Sequence, residues 1–255
     1  MGELAGIEAV WRREIKVFQR EKSRVVSSVA SPLLWMLFFG VGLGSRVQFA
    51  GLQYQTYIFP GVMVMSILFG GIFYGLYIVW DRKIDFLKEV LAAPVRRESI
   101  FLGKVLGGCT DALVQSAILL AVGAVLLPVL QPGFPGLNPV GMLLALPVVL
   151  ALAVSIVSLG LAIGTLFESF EGFQVIVSFV AFPLFFLSGA LYPLDDLPGF
   201  LQVLTLANPL TYGVDLLRTL LLGVGTIPPW KSAAILGLFA ALMLWVGAFM
   251  FRRMK

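Results

Sequence analysis

The chain has no histidine and a single cysteine, Cys109, among 255 residues. Without histidine there can be no Ser-His-Asp triad, no histidine-bound metal and no imidazole acid–base pair. With one thiol there can be no internal disulfide framework. Charge is also scarce, at 13% of residues, against about 25% in an ordinary soluble domain. No G-x-x-x-x-G-K-[ST] phosphate loop occurs anywhere, so no nucleotide-hydrolysing site of that kind is written in the chain.

What fills the space is apolar. Hydrophobic types make up 59% of the chain, including 21 Phe, 8 Met and 5 Trp. That excess rules out disorder and points to lipid as the main solvent. A bilayer-crossing helix needs about 20 mostly apolar residues. Six stretches meet that need: residues 25–45, 57–79, 101–127, 140–167, 173–191 and 232–251. The sequence thus predicts an all-α membrane protein forming one transmembrane unit over residues 1–255. The first stretch follows a long charged segment and lacks a small-residue cleavage pattern, so it is expected to stay in the mature chain.

Basic residues set the orientation. Fifteen of the 18 Lys and Arg lie before the first stretch, between the second and third or at the start of the third, or at the C-terminus. Arg46, Arg218 and Lys231 fall on the other side. The positive-inside rule then puts both termini and the second–third loop in the cytoplasm. The net charge of +4 reads as that cytoplasmic surface. No interleaved basic and aromatic motif suggests nucleic acid. Residues 203–224 are apolar but interrupted by Asn208-Pro209, Asp215 and Arg218. A seventh span there would carry Arg252, Arg253 and Lys255 outside, so residues 193–224 are expected to form an external re-entrant or interfacial helical hairpin.

Residues 3–23 read as an amphipathic helix with Leu4, Ile7, Trp11, Ile15 and Phe18 on one stripe. It suits either the headgroup plane or a protein surface. Residues 85–93 form a second, short amphipathic helix: Phe86, Leu87, Val90 and Leu91 make its apolar stripe, Asp85, Lys88 and Glu89 its charged one. Pro94 then disfavours continued helix. Such a helix is either an interfacial stub or a plug for a groove on a cytoplasmic partner. Glu168 and Glu171 flank a tight cytoplasmic turn that could touch the same partner or simply face water. Asp111 is the one acid well inside an apolar run, and an interfacial or bundle-facing structural role is expected of it ahead of proton coupling. Asp215 and Arg218, three apart, are expected to pair on one helix face. Several Phe, among them Phe38, Phe39, Phe69, Phe182 and Phe186, are candidates to line an apolar path.

The run Trp80-Asp81-Arg82, Phe86-Leu87-Lys88-Glu89-Val90-Leu91, Ala93-Pro94-Val95, Arg97 and Leu102-Gly103-Lys104 resembles the first cytoplasmic loop of type-2 ABC exporter permeases. The closest branch is that of drug-resistance and polysaccharide- or lipid-export permeases. A second block agrees: Leu187-Ser188-Gly189-Ala190-Leu191-Tyr192-Pro193-Leu194, Pro198, and Asn208-Pro209-Leu210-Thr211-Tyr212 through Asp215 to Arg218. The family usually has Gly where this chain has Asp85, a good N-cap.

The resemblance implies a half-transporter. Two copies line a path, and two separate ATP-binding cassette ATPase subunits, which hold the ATP and Mg, bind below; this chain itself binds no cofactor and is no enzyme. Asp85, Phe86, Leu87, Lys88, Glu89 and Leu91 are implied as the ATPase-coupling helix, with Glu168 and Glu171 as a second contact. Pro193, Pro198, Asn208, Pro209, Asp215 and Arg218 are implied as the external gate. The alternative is a secondary transporter or channel not driven by ATP, for which Asp111 is the lone coupling candidate.

Overall fold

A computed structural model describes residues 3–43, 47–84, 95–194 and 197–254. Among these the chain is helical apart from turns and a two-stranded hairpin, Gln48–Phe49 with Leu52–Gln53. The helices are α1 (Glu3–Arg20), α2 (Lys22–Leu43), α3 (Tyr54–Ile72), α4 (Leu76–Lys83), α5 (Arg97–Leu130), α6 (Pro139–Leu166), α7 (Phe170–Phe186), α8 (Gly199–Ala207), α9 (Pro209–Leu222) and α10 (Pro229–Arg253). A 3-10 turn, Phe73–Gly75, joins α3 to α4.

Four helical stretches are long and apolar enough to cross a membrane: Tyr54–Lys83, Arg97–Leu130, Pro139–Leu166 and Pro229–Arg253. The other two expected spans are shorter as apolar helix, Val26–Phe39 within α2 and Phe170–Phe186. The expected span 173–191 therefore shifts. Its helix starts at Phe170, capped by Ser169, and stops at Phe186. Beyond it the backbone turns, with Gly189 at φ +68°, a region that favours glycine.

The seventh-span alternative over residues 203–224 is overturned. α8 and α9 have 9 and 14 residues, each below the roughly 20 a crossing needs. Pro209 supplies no N–H and cannot continue α8. Asn208 ends one helix and caps the next, its Oδ1 accepting from Leu210 N at 3.0 Å.

α6 is apolar all round and occupies the centre, touching α3, α4, α5, α7, α9 and α10. Its close approach to the α3–α4 break rests on glycine. A Cβ on Gly160 would collide with the backbone of Ile72, and one on Gly75 with the carbonyl of Gly160. Small residues at such crossings let backbones meet in a medium that gives no hydrophobic drive between helices. Gly160→Leu is therefore expected to cost about 1–3 kcal/mol or more through overpacking. The check is the melting temperature and elution profile of the purified protein in detergent. Gly237→Leu, on an open face of α10, should leave both unchanged.

Candidate functional site

One end of the bundle gathers α1, the last turns of α4, the first turns of α5, the α6–α7 turn and the C-terminus. Its centre is a buried charge cluster. Lys104, 1% exposed, extends its Nζ to Asp81 Oδ2 at 2.8 Å and to Glu14 Oε1 at 3.4 Å. Arg13 reaches the same two carboxylates, Asp81 Oδ1 at 3.1 Å and Glu14 Oε1 at 3.0 Å. The Tyr74 hydroxyl donates to Glu14 Oε2 at 2.9 Å. Two cations and two anions, on α1, α4 and α5, thus neutralise one another, all buried but the partly exposed Arg13.

The local sequence explains the approach. Gly103 and Gly107 lie one turn apart on α5, either side of Lys104. A Cβ on Gly103 would sit 2.6 Å from Val10 Cβ, and one on Gly107 2.5 Å from Glu14 Cβ. α1 lies in that trough, turning Gly6, Glu14 and Phe18 inward. The expected apolar stripe is rotated: Leu4 is 81% exposed, and the Trp11 indole donates to Thr110 Oγ1 at 3.0 Å. The protein-packed reading of α1 describes these contacts.

Around the cluster, other ties join the same end. Arg82 donates to the carbonyls of Phe167 at 2.9 Å and Thr165 at 3.2 Å, taking up acceptors left at the end of α6. The Trp80 ring lies 5.3 Å from that of Phe170, and Lys83 Nζ lies 4.8 Å from the same ring. Glu3 receives the Ser99 hydroxyl at 2.5 Å. Arg97 donates to the Met254 carbonyl. Glu168 and Glu171 stand exposed on the turn so held. Asp85, Phe86, Leu87, Lys88, Glu89 and Leu91 lie outside the described residues. The segment carrying them is strung between Ile84 and Val95, whose helices are the ones the cluster joins.

The opposite end carries the second group of expected residues. Pro198 precedes α8, Pro209 starts α9, and the Asn208 amide ties them to Leu184 O at 2.6 Å. Asp215 and Arg218 are both buried, but they do not form the expected ion pair. Asp215 accepts from Thr226 N at 2.9 Å, Thr226 Oγ1 at 3.1 Å and Ile227 N at 3.0 Å, fastening the loop into α10. Arg218 donates to Gly189 O at 2.9 Å and stacks 4.0 Å from the Tyr57 ring centroid. Loop N–H groups outcompete the guanidinium for the carboxylate because they are fixed by the chain a turn away. Pro193 lines a cavity beside them.

Between the ends, two adjoining cavities of about 720 and 290 Å³ run along α2, α3 and α7. Glu21, Tyr77 and Gln115 lie toward one end; Phe69, Phe182 and Phe186 line the other. Phe38 instead is 75% exposed on the outer face of α2. Asp111 is buried against the bundle beside Tyr74 and Ser66. Among the described residues no group of His, Cys, Asp and Glu could hold a metal.

The charge cluster was not singled out from the sequence, although Asp81 and Lys104 fall within the block that carries the family resemblance. Its signal is Lys104 set between two glycines one turn apart, an unusual place for a surface lysine. Lys104→Met strands two buried carboxylates with one partly exposed arginine, and such a break costs about 3–5 kcal/mol. Removing a carboxylate as well, as in Lys104→Met with Asp81→Asn, should restore part of the loss. Unfolding in detergent measures both.

Residues 5–222 match the family of ABC-2 type transporters. Nodulation protein J of Rhizobium leguminosarum bv. trifolii is 26% identical over 249 residues, covering 96% of this chain and 92% of that protein. The inner membrane transport permease YadH of Escherichia coli K12 is 29% identical over 241 residues, covering 91% and 89%. The family match covers most of the chain, which therefore belongs to the ABC-2 type transporter family.

Proposed function

We propose that this chain is the transmembrane subunit of an ATP-driven exporter. Two copies line a path, and two separate ATP-binding cassette subunits, which hold ATP and Mg, drive it. In this reading α2 and α7 join the four longer stretches as membrane-crossing helices, making six. The end bearing the charge cluster is cytoplasmic, as the basic residues require. Residues 85–93 seat in a groove of the ATPase: Phe86, Leu87 and Leu91 anchor it, while Asp85, Lys88 and Glu89 choose its partner. Glu168 and Glu171 meet the same subunit. α8 and α9 gate the outer side. The groove from Glu21 to Phe186, polar at one end and aromatic at the other, suits an amphipathic or lipid-linked molecule such as a drug, a lipid or a glycan on a lipid carrier.

The observation that carries this reading is the clamp around the loop stems. A short loop can transmit a partner's movement only if its two stems cannot yield, and here both stems are tied to α1 by buried charges, and the α4 stem also to the α6–α7 turn by Arg82.

Phe86→Asp and Glu89→Arg are expected to leave the protein folded and monodisperse. Each should weaken ATPase association by about 2 kcal/mol or more, the size of an interface hot spot, with ATP-driven transport lost. Co-purification of the chain with a co-expressed ATP-binding cassette ATPase subunit, followed by transport in vesicles, makes the check. Normal association in both variants would remove the coupling role. Transport that persists without any ATPase would place the chain among secondary transporters or channels.

A further inference from the structure

The outer end of the bundle holds a cation whose hydrogen bonds are mostly unspent. Arg218 is 3% exposed. Of its five N–H donors, only one on Nη2 has a partner, the Gly189 carbonyl at 2.9 Å. Its Nε is buried with no hydrogen-bond partner. One face of the guanidinium is covered by Tyr57 at 4.0 Å. Asp215, three residues earlier, offsets part of its charge but takes none of its hydrogen bonds, since the two carboxylate oxygens accept three from Thr226 and Ile227.

This guanidinium lines a cavity of about 460 Å³, shared with Gln48, Phe49, Tyr57, Pro193, Thr226 and the hydrogen-bonded Asp215 carboxylate. The volume falls in the range of about 300–1,000 Å³ that small-molecule sites occupy, so it admits more than a lone ion. A buried polar donor left unpaired is costly. The planar guanidinium fork matches an oxyanion in two directions at once. We propose that Arg218 forms an oxyanion subsite on the outer face of the permease, taking the phosphate group of a phosphate ester while Phe49 and Pro193 pack against its substituent. The phosphate can come from a lipid headgroup or from a water-soluble molecule. The site is distinct from the cytoplasmic coupling surface, and it is tested on the purified chain with no ATPase present, so neither reading depends on the other.

The measurement is thermal unfolding in a phosphate-free, sugar-headgroup detergent. The probes are sodium phosphate against sodium chloride at matched ionic strength, and dioctanoyl phosphatidylglycerol against dioctanoylglycerol. A ligand that binds only the folded state raises the melting temperature with its concentration. The native chain should rise with phosphate, with phosphatidylglycerol, or with both. A rise with phosphate identifies a water-soluble source, and a rise with the phospholipid alone a lipid source. Arg218→Gln should weaken the response at least about tenfold in concentration, the loss of one charge-assisted hydrogen bond, and Arg218→Lys should keep part of it. Should Arg218→Gln fail to fold, Val224→Trp, which fills the cavity and leaves the arginine in place, should abolish the response. No phosphate-dependent rise in the native chain, or an equal rise in Arg218→Gln or Val224→Trp, overturns the proposal.

Discussion

The end of the bundle where α1, α4 and α5 meet depends on one lysine. Lys104 gives up nearly all contact with water, a loss that in isolation costs several kcal/mol even after relaxation. The cost is tolerable only because Asp81 and Glu14 reach it from two other helices and Arg13 balances the remaining charge. The interaction thus fixes geometry more than it adds stability. α1 has to lie where Glu14 meets Lys104, and Gly103 and Gly107 exist to let it do so. α4 has to end where Asp81 can bridge. α5 has to start where Lys104 meets both carboxylates, so the helix ends on either side of the loop are fixed by buried charge.

The other end is built on a different principle. Its polar groups are satisfied mainly by backbone: Asn208 by Leu184 and Leu210, Thr211 by Thr205, Asp215 by the loop into α10. α8 buries only Thr205, so little apolar area holds it against the bundle. Segments with few buried contacts are the ones that open at low free-energy cost. The contrast is mechanical. The charge-clustered end is stiff, whereas at the other end α8 alone is lightly held, since α9 packs a buried face against α3, α6 and α10. α6, apolar and glycine-notched at Gly160, forms the packed centre between them.

The sequence made the apolar runs, the basic asymmetry and both family blocks plain, because each is a local property of composition. It also placed the helix break at Asn208-Pro209, since proline chemistry is local too. It did not show which charges meet. Glu14, Asp81 and Lys104 each look like an ordinary residue at the edge of a span, and only the crossing of three helices makes them a cluster. Asp215 and Arg218 failed in the opposite sense. Their spacing suggests a pair, but a loop folding back from Thr226 satisfied the acid first. The same competition left Arg218 with unused donors. The stripe of α1 was misjudged by part of a turn, because an inward Glu14 is read from sequence as an outward one.

The central claim is that α1, the loop stems and the α6–α7 turn move as one body under load. The most direct measurement is the distance between spin labels at Arg12 and Glu168, both exposed, in a Cys109→Ser background and in complex with the ATPase. The account predicts one narrow distance that is the same without nucleotide and with ATP trapped, and a broadened distribution once Lys104 is replaced by Met. A native distance that shifts or splits when ATP binds would contradict it.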